Sequence, residues 1–128
     1  MQYTNKFKWY INENEGWQKI LELQTNEIPE MEKMLTTIIE EDQFTKKEKE
    51  RRKVHFSRQL EMQQKQIMKL NSEFGQQQQR LSLDCENDIV NDIDAFCTQD
   101  ILRERIRDIE KTYVELKCNF MNYLSTIL

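Results

Sequence analysis

The sequence predicts an all-α fold, an antiparallel three-helix coiled-coil bundle, and three observations carry that reading. The 128 residues include only two Gly and one Pro, and 33% are charged, a composition of helix formers with few breakers. From Leu102 to Ile127, apolar residues recur at alternating spacings of four and three: Leu102, Ile106, Ile109, Tyr113, Leu116, Phe120, Tyr123 and Ile127. That is one seam on a long helix, and a seam needs a partner. Two earlier stretches repeat the alternation and can supply it. The length is that of one domain. The expected layout is an aromatic arm over residues 1–13 and a bundle over 14–128, with helices at about 14–42, 46–84 and 88–127. At about 1.5 Å per residue such helices make the molecule a rod.

The arm holds Phe7, Trp9 and Tyr10 without a clear helical stripe. Asn12 and Asn14 are candidate N-caps before Glu15. The first helix carries Trp17, Leu21, Ile28, Met31, Leu35 and Ile38 on one stripe, with Gln24 as its polar interruption. Pro29 removes one helical hydrogen bond and crowds the preceding turn. The helix either continues through it with a kink or breaks near Thr25–Asn26; the unbroken phase of the stripe favours the kink.

A turn is expected at 43–45, with Phe44 folding back onto the bundle end. The second helix repeats the alternation with Phe56, Leu60, Ile67, Leu70, Phe74 and Leu81, and Gln63 and Gln77 fill its gaps. Gly75 weakens it locally. A second turn is expected at Asp84–Asn87, with Asn87 or Asp88 capping the third helix. Ile89, Ile93 and Phe96 then begin a stripe whose phase differs from that of Leu102. The mismatch predicts a stammer near 97–101, or alternatively a loop there.

Short turns imply two antiparallel hairpins. In that register Gln24 meets Gln63, and two seam amides can hydrogen-bond and fix the alignment. Gly75 meets Phe96. The first and third helices run parallel, with Trp17 near Leu102, Ile28 near Tyr113, Met31 near Leu116 and Leu35 near Phe120. Phe7, Trp9 and Tyr10 would cover Ile89, Ile93 and Phe96; alternatively Phe7, Trp9, Tyr10 and Phe96 are offered to a partner.

Net charge is −4, unevenly spread: four basic and nine acidic residues in 1–45, ten and four in 46–80, five and ten in 81–128. A basic second helix should therefore prefer its acidic neighbours. The expected pairs are Glu40 and Glu41 with Lys46 and Lys47, Glu30 and Glu115 with Arg58, Glu104 with Lys69, Asp108 with Lys65 and Asp92 with Arg80. The segment KKEKERRK contains Lys46, Lys47, Lys49, Arg51, Arg52 and Lys53, a candidate polyanion-binding patch. The acidic flanks weigh against a nucleic acid as its partner.

The sequence shows no chemistry that marks an enzyme. His55 is the only histidine, and no carboxylate precedes it at helical metal-ligand spacing. Glycine-rich phosphate loops are absent. Cys85, Cys97 and Cys118 are odd in number and without a CxxC, so they read as reduced helix-packing residues. No catalytic residue, metal ligand or cofactor is expected. No apolar run is long enough to span a bilayer, and the N-terminus lacks the core of a signal peptide. A cytoplasmic protein without membrane contact is the expectation.

Three segments together resemble a group of small uncharacterised coiled-coil proteins of Bacteroidota-type bacteria. They are EGWQKILELQTNEI, HFSRQLEMQQKQIMKL and LRERIRDIEKTYVELKCNFMNYLSTIL, covering about residues 15–128. Pro29 departs from the pattern. The resemblance implies a cytosolic, helical, non-enzymatic protein and no particular activity. The expected function is accordingly that of an interaction or scaffold protein, engaging another protein or copies of itself, with polyanion binding through the second helix as the alternative.

Overall fold

The computed structural model describes the backbone of residues 2–41, 46–87 and 92–127 and the side chains of 6–40, 46–83 and 93–125. These residues form three helices, α1 (Gln2–Glu41), α2 (Lys46–Asn87) and α3 (Asp92–Ile127). Contacts between their side chains set the directions. Asn14, Trp17 and Gln24 of α1 meet Gln78, Phe74 and Gln63 of α2 in descending order, so the two helices are antiparallel. Gln77, Gln63 and Phe56 of α2 meet Ala95, Ile109 and Phe120 of α3, again antiparallel. Glu13 meets Arg103 and Glu27 meets Lys117, so α1 and α3 are parallel. The fold is the expected three-helix bundle, with α1 packed most closely on α2 and α3 resting more loosely against α1.

The seam predicted on α3 is the core. Leu102, Ile106, Ile109, Tyr113, Leu116, Phe120 and Tyr123 are all buried, as are Leu21, Ile28, Met31 and Leu35 of α1 and Phe56, Leu60, Ile67, Leu70 and Phe74 of α2. The side chains of Ile127 and Phe44, and the turn at 43–45, lie outside the described residues. The Gln24–Gln63 layer forms as expected: the Gln63 amide donates to Gln24 Oε1 at 3.1 Å and to the Ile109 carbonyl at 3.1 Å.

Pro29 lies within α1, which continues on both sides of it. The residue is on the exposed face, so the Thr25 carbonyl that loses its usual donor faces water and needs no partner from the protein.

Six expectations are corrected by the structure. Residues 2–13 are not an irregular arm; they are the first turns of α1. The core spacing extends backwards through Asn14, Tyr10 and Phe7, all buried, so the same periodicity that builds the bundle carries these turns. Asn14 is therefore a core residue and not a cap. The second turn does not fall at Asp84–Asn87, because α2 remains helical through Asn87 and α3 starts at Asp92. Residues 97–101 are regular helix, with neither stammer nor loop. The α3 seam simply continues as Gln99 and Ala95, both buried, while Ile93 and Phe96 face outward. Gly75 consequently does not oppose Phe96; it is exposed, and a Cβ placed on it meets nothing within 4 Å. Cys97 and Cys118 are exposed and do not pack between helices.

The ion pairs also differ from expectation. Among the described residues, the bases that bridge helices lie mainly on α3. Arg103 pairs with Glu13, Arg105 with Glu73, Lys117 with Glu27, and Arg80 of α2 with Asp94. Arg58, Lys65 and Lys69 make none of the pairs proposed for them. The reason is phase. With Gln99 and Ala95 in the core, Arg103 and Lys117 flank the seam on the α1 side and Arg105 flanks it on the α2 side.

Candidate interaction surfaces

Two buried polar layers lie within the bundle. Beyond the Gln24–Gln63 pair, a larger cluster joins all three helices near the start of α1. Asn14 and Gln99 exchange two hydrogen bonds: Asn14 Nδ2 donates to Gln99 Oε1 at 3.2 Å and Gln99 Nε2 donates to Asn14 Oδ1 at 2.8 Å. Asn14 also donates to Gln78 (3.0 Å), Gln77 donates to Gln99 (3.4 Å) and to the Ala95 carbonyl (3.3 Å), and Gln78 donates to the Ile11 carbonyl (3.2 Å). Every amide here has partners, as burial requires.

A charged bridge closes the cluster on its outer side. Arg103 binds Glu13 through Nη2 at 2.8 and 3.0 Å and through Nε at 3.2 Å. Gln99 Nε2 donates to the same carboxylate at 2.8 Å. The Arg103 guanidinium lies 5.8 Å over the Trp17 ring, a cation–π contact. The Glu13 hydrogen bond holds the Arg103 pKa above its usual value. Beyond this cluster, Phe7, Tyr10, Leu81 and Ala95 form a small core of their own, with Ile11 packed against it.

A second charged group ties α1 to α3 further along. Lys117 donates to Glu27 at 2.8 Å, and the Tyr113 hydroxyl donates to the same Glu27 oxygen. Lys117 first, then Tyr113, hold the Glu27 carboxyl below the usual carboxylate range. Burial, then Glu27, push the Tyr113 hydroxyl upward.

The residues singled out from sequence divide between inside and outside. Phe7 and Tyr10 are buried, with 1% and 5% of their surface exposed, and belong to the small core. Trp9 is 67% exposed and Phe96 52% exposed; Lys6 Nζ lies 5.9 Å over the Phe96 ring. Thus the aromatic residues do not act as one set: two hold the end of the bundle together and two face outward. Ile89, which they were expected to cover, lies outside the described side chains.

The basic patch is real as a surface feature. Lys46, Lys47, Arg51 and Lys53 are exposed, and Lys49 and Arg52 half-buried. Lys49 donates to the Glu40 carbonyl at 3.4 Å, Arg51 pairs with Glu48 of its own helix at 2.6 Å, and the Arg52 guanidinium lies 4.9 Å over the Tyr123 ring. His55 is exposed, its ring edge-on to Phe56 at 5.2 Å.

Two of the outward faces between helices carry a groove. A groove of about 490 Å³ between α2 and α3 is lined by Gln59, Gln66, Asp108, Thr112, Glu115 and Asn119 together with Met62, Ile109 and Leu116. A groove of about 530 Å³ between α1 and α3 is bordered by Ile20, Leu23, Val114, Cys118 and Met121, with Glu27, Glu110, Lys117 and Asn122 also on its lining. Leu23, Val114 and Met121 are more than half exposed there. Sequence reasoning missed this face. Its signal was a second seven-residue spacing beside the seam: Trp9, Gly16 and Leu23 on α1, and Ile93, Asp100, Arg107, Val114 and Met121 on α3.

Among the described residues, no group of three or more His, Cys, Asp or Glu is placed to hold a metal ion, and no helix is long and apolar enough to cross a membrane. Comparison with protein-family models, curated proteins and solved structures gives no match.

Proposed function

We propose that the chain is a non-enzymatic helical interaction protein whose binding surface is the face between α1 and α3. The observation that carries this is the apolar border of that groove, where Leu23, Val114 and Met121 are 59%, 58% and 54% exposed on neighbouring turns of two helices. Scattered single apolar residues are ordinary on a surface, whereas a contiguous set along a groove marks an interaction site. The groove runs parallel to two helices, a shape suited to the apolar face of a further helix.

Affinity capture of the full chain from its own cells, compared with a Leu23→Glu/Val114→Glu variant, tests the reading. The variant should lose the components captured specifically by the wild type while keeping its helical circular dichroism. An identical captured set from the two proteins overturns the assignment of this face.

Polyanion binding by the start of α2 is the second reading. It is favoured by the placement of the interhelical ion pairs, which draw mainly on bases of α3 and leave Lys53 without a carboxylate within 4 Å among the described residues. Binding to a labelled duplex that falls steeply with salt and is lost on reversing Arg51, Arg52 and Lys53 would establish it; absence of binding at low salt removes it.

A further inference from the structure

We infer that the α1/α3 face is closed by a second copy of this chain, packed antiparallel about a two-fold axis that crosses α1 at Gly16 and α3 at Arg103–Glu104. The inference rests on the reading of that face as an interaction surface and names its occupant. A two-fold interface must be self-complementary, each residue meeting its counterpart across the axis. Trp9 and Leu23 on α1, and Ile93, Asp100, Arg107 and Val114 on α3, meet this condition.

On α1 the exposed apolar residues Trp9 and Leu23 stand at equal distances on either side of Gly16. Reversing the helix about Gly16 places Trp9 of one copy on Leu23 of the other. On α3, Asp100 and Arg107 are equidistant from the level of Arg103–Glu104, and so are Ile93 and Val114. Reversal there sets Asp100 against Arg107 of the second copy and Ile93 against Val114 of the second copy. Apolar meets apolar and opposite charges meet.

The two helices were matched independently, yet they define one axis. In the monomer, Glu13 and Trp17, which bracket Gly16, both reach Arg103. The level of Gly16 on α1 is therefore the level of Arg103 on α3. Gly16 is also exposed, and a Cβ placed on it meets nothing within 4 Å. A residue without a side chain at the crossing point lets two helices approach closely. Arg107 is exposed without an ion-pair partner among the described residues. Asp100 uses Oδ1 for Arg103 at 3.4 Å, which leaves its other oxygen to accept from the second copy.

Sedimentation equilibrium of the full chain over a range of concentrations tests the proposal. The expected result is a shift from the 15.7 kDa monomer to twice that mass. Arg107→Asp, which sets like charges against Asp100 of the other copy, should raise the dimer Kd about tenfold or more. Adding Asp100→Arg to it should restore association, because the swapped pair is again complementary. In a background with Cys85, Cys97 and Cys118 replaced by Ser, Gly16→Cys should form a disulfide-linked dimer on oxidation. Gly75→Cys, equally exposed and open but on another face, should not. A monomer at every concentration, a dimer indifferent to Arg107→Asp, or no rescue by the double swap overturns the proposal. The capture experiment scores the broader reading separately, since a monomeric chain whose captured partners still change with Leu23→Glu/Val114→Glu retains an interaction face that another protein occupies.

Discussion

The two buried polar layers solve one problem in different ways. Gln24 and Gln63 form a minimal layer: one side chain–side chain bond, one bond to a backbone carbonyl, and apolar residues above and below. Asn14, Gln77, Gln78 and Gln99 form a layer that spans all three helices and is sealed by the Glu13–Arg103 bridge. The first lies inside a single continuous core. The second separates that core from a small one built on Phe7, Tyr10, Leu81 and Ala95. A pair of amides can fix register while leaving the core undivided. A network of amides fixes register and also splits the bundle into two units that can open separately.

Breaking the larger layer should therefore cost most. Gln99→Leu removes the reciprocal bonds with Asn14 and leaves Asn14 Oδ1 buried without a donor, an expected loss of about 3 kcal/mol in denaturant unfolding. Native-state hydrogen exchange should place that loss among amides near Tyr10 and Ala95, with amides near Leu60 little changed.

Gln63→Leu should cost less, about 2 kcal/mol, since Gln24 Oε1 is the one side-chain acceptor that loses its donor and the Ile109 carbonyl loses only its side-chain donor. The double change Gln24→Leu/Gln63→Leu should return stability to near the wild-type value, because both partners are then apolar. If the double variant stays as unstable as the single one, the two layers do not differ as described.

Arg103→Met tests the seal. The pair is partly exposed, so a loss of about 1 kcal/mol is expected, together with faster exchange at the start of α1.

The smallest effects are those of pH. Glu27 has a lowered folded pKa, so its contribution is present above the ordinary carboxylate value of about 4.3 and is lost as pH falls through the lower folded value. Tyr113 has a raised folded pKa, so its contribution is present below about 10 and is lost as pH rises beyond that. Tyr113→Phe should flatten the alkaline fall in stability. A fall of unchanged slope would show that the Glu27–Tyr113 link does not carry it.

The same comparison explains what could be read from sequence. Gln24 and Gln63 each interrupt an otherwise apolar stripe, so their burial and their pairing follow from periodicity and register. The second layer could not be read in this way. Asn14 stands in NENEG, where an Asn before acidic residues has the chemistry of a cap. Gln99 and Ala95 were hidden by Ile93 and Phe96, which are more apolar but point outward. Hydrophobicity alone chose the wrong phase at the start of α3. From that choice followed the stammer and the Gly75–Phe96 contact. The proposed interaction face was masked for a related reason: Gly16, Asp100 and Arg107 interrupt its stripes, and only the helices laid side by side bring its apolar residues together.

The two tryptophans lie on either side of the larger polar layer. Trp17 stacks on Phe74 at 5.7 Å beneath the Arg103 guanidinium, whereas Trp9 stands 67% exposed among the first turns of α1. Intrinsic fluorescence is thus a two-channel signal already present in the native chain. In the monomer, emission from Trp9 should be red-shifted and readily quenched by iodide, and emission from Trp17 protected until the main core opens; the proposed dimer should shield Trp9. With each indole in turn replaced by phenylalanine, a single cuvette would follow the end of the rod and its middle as separate events.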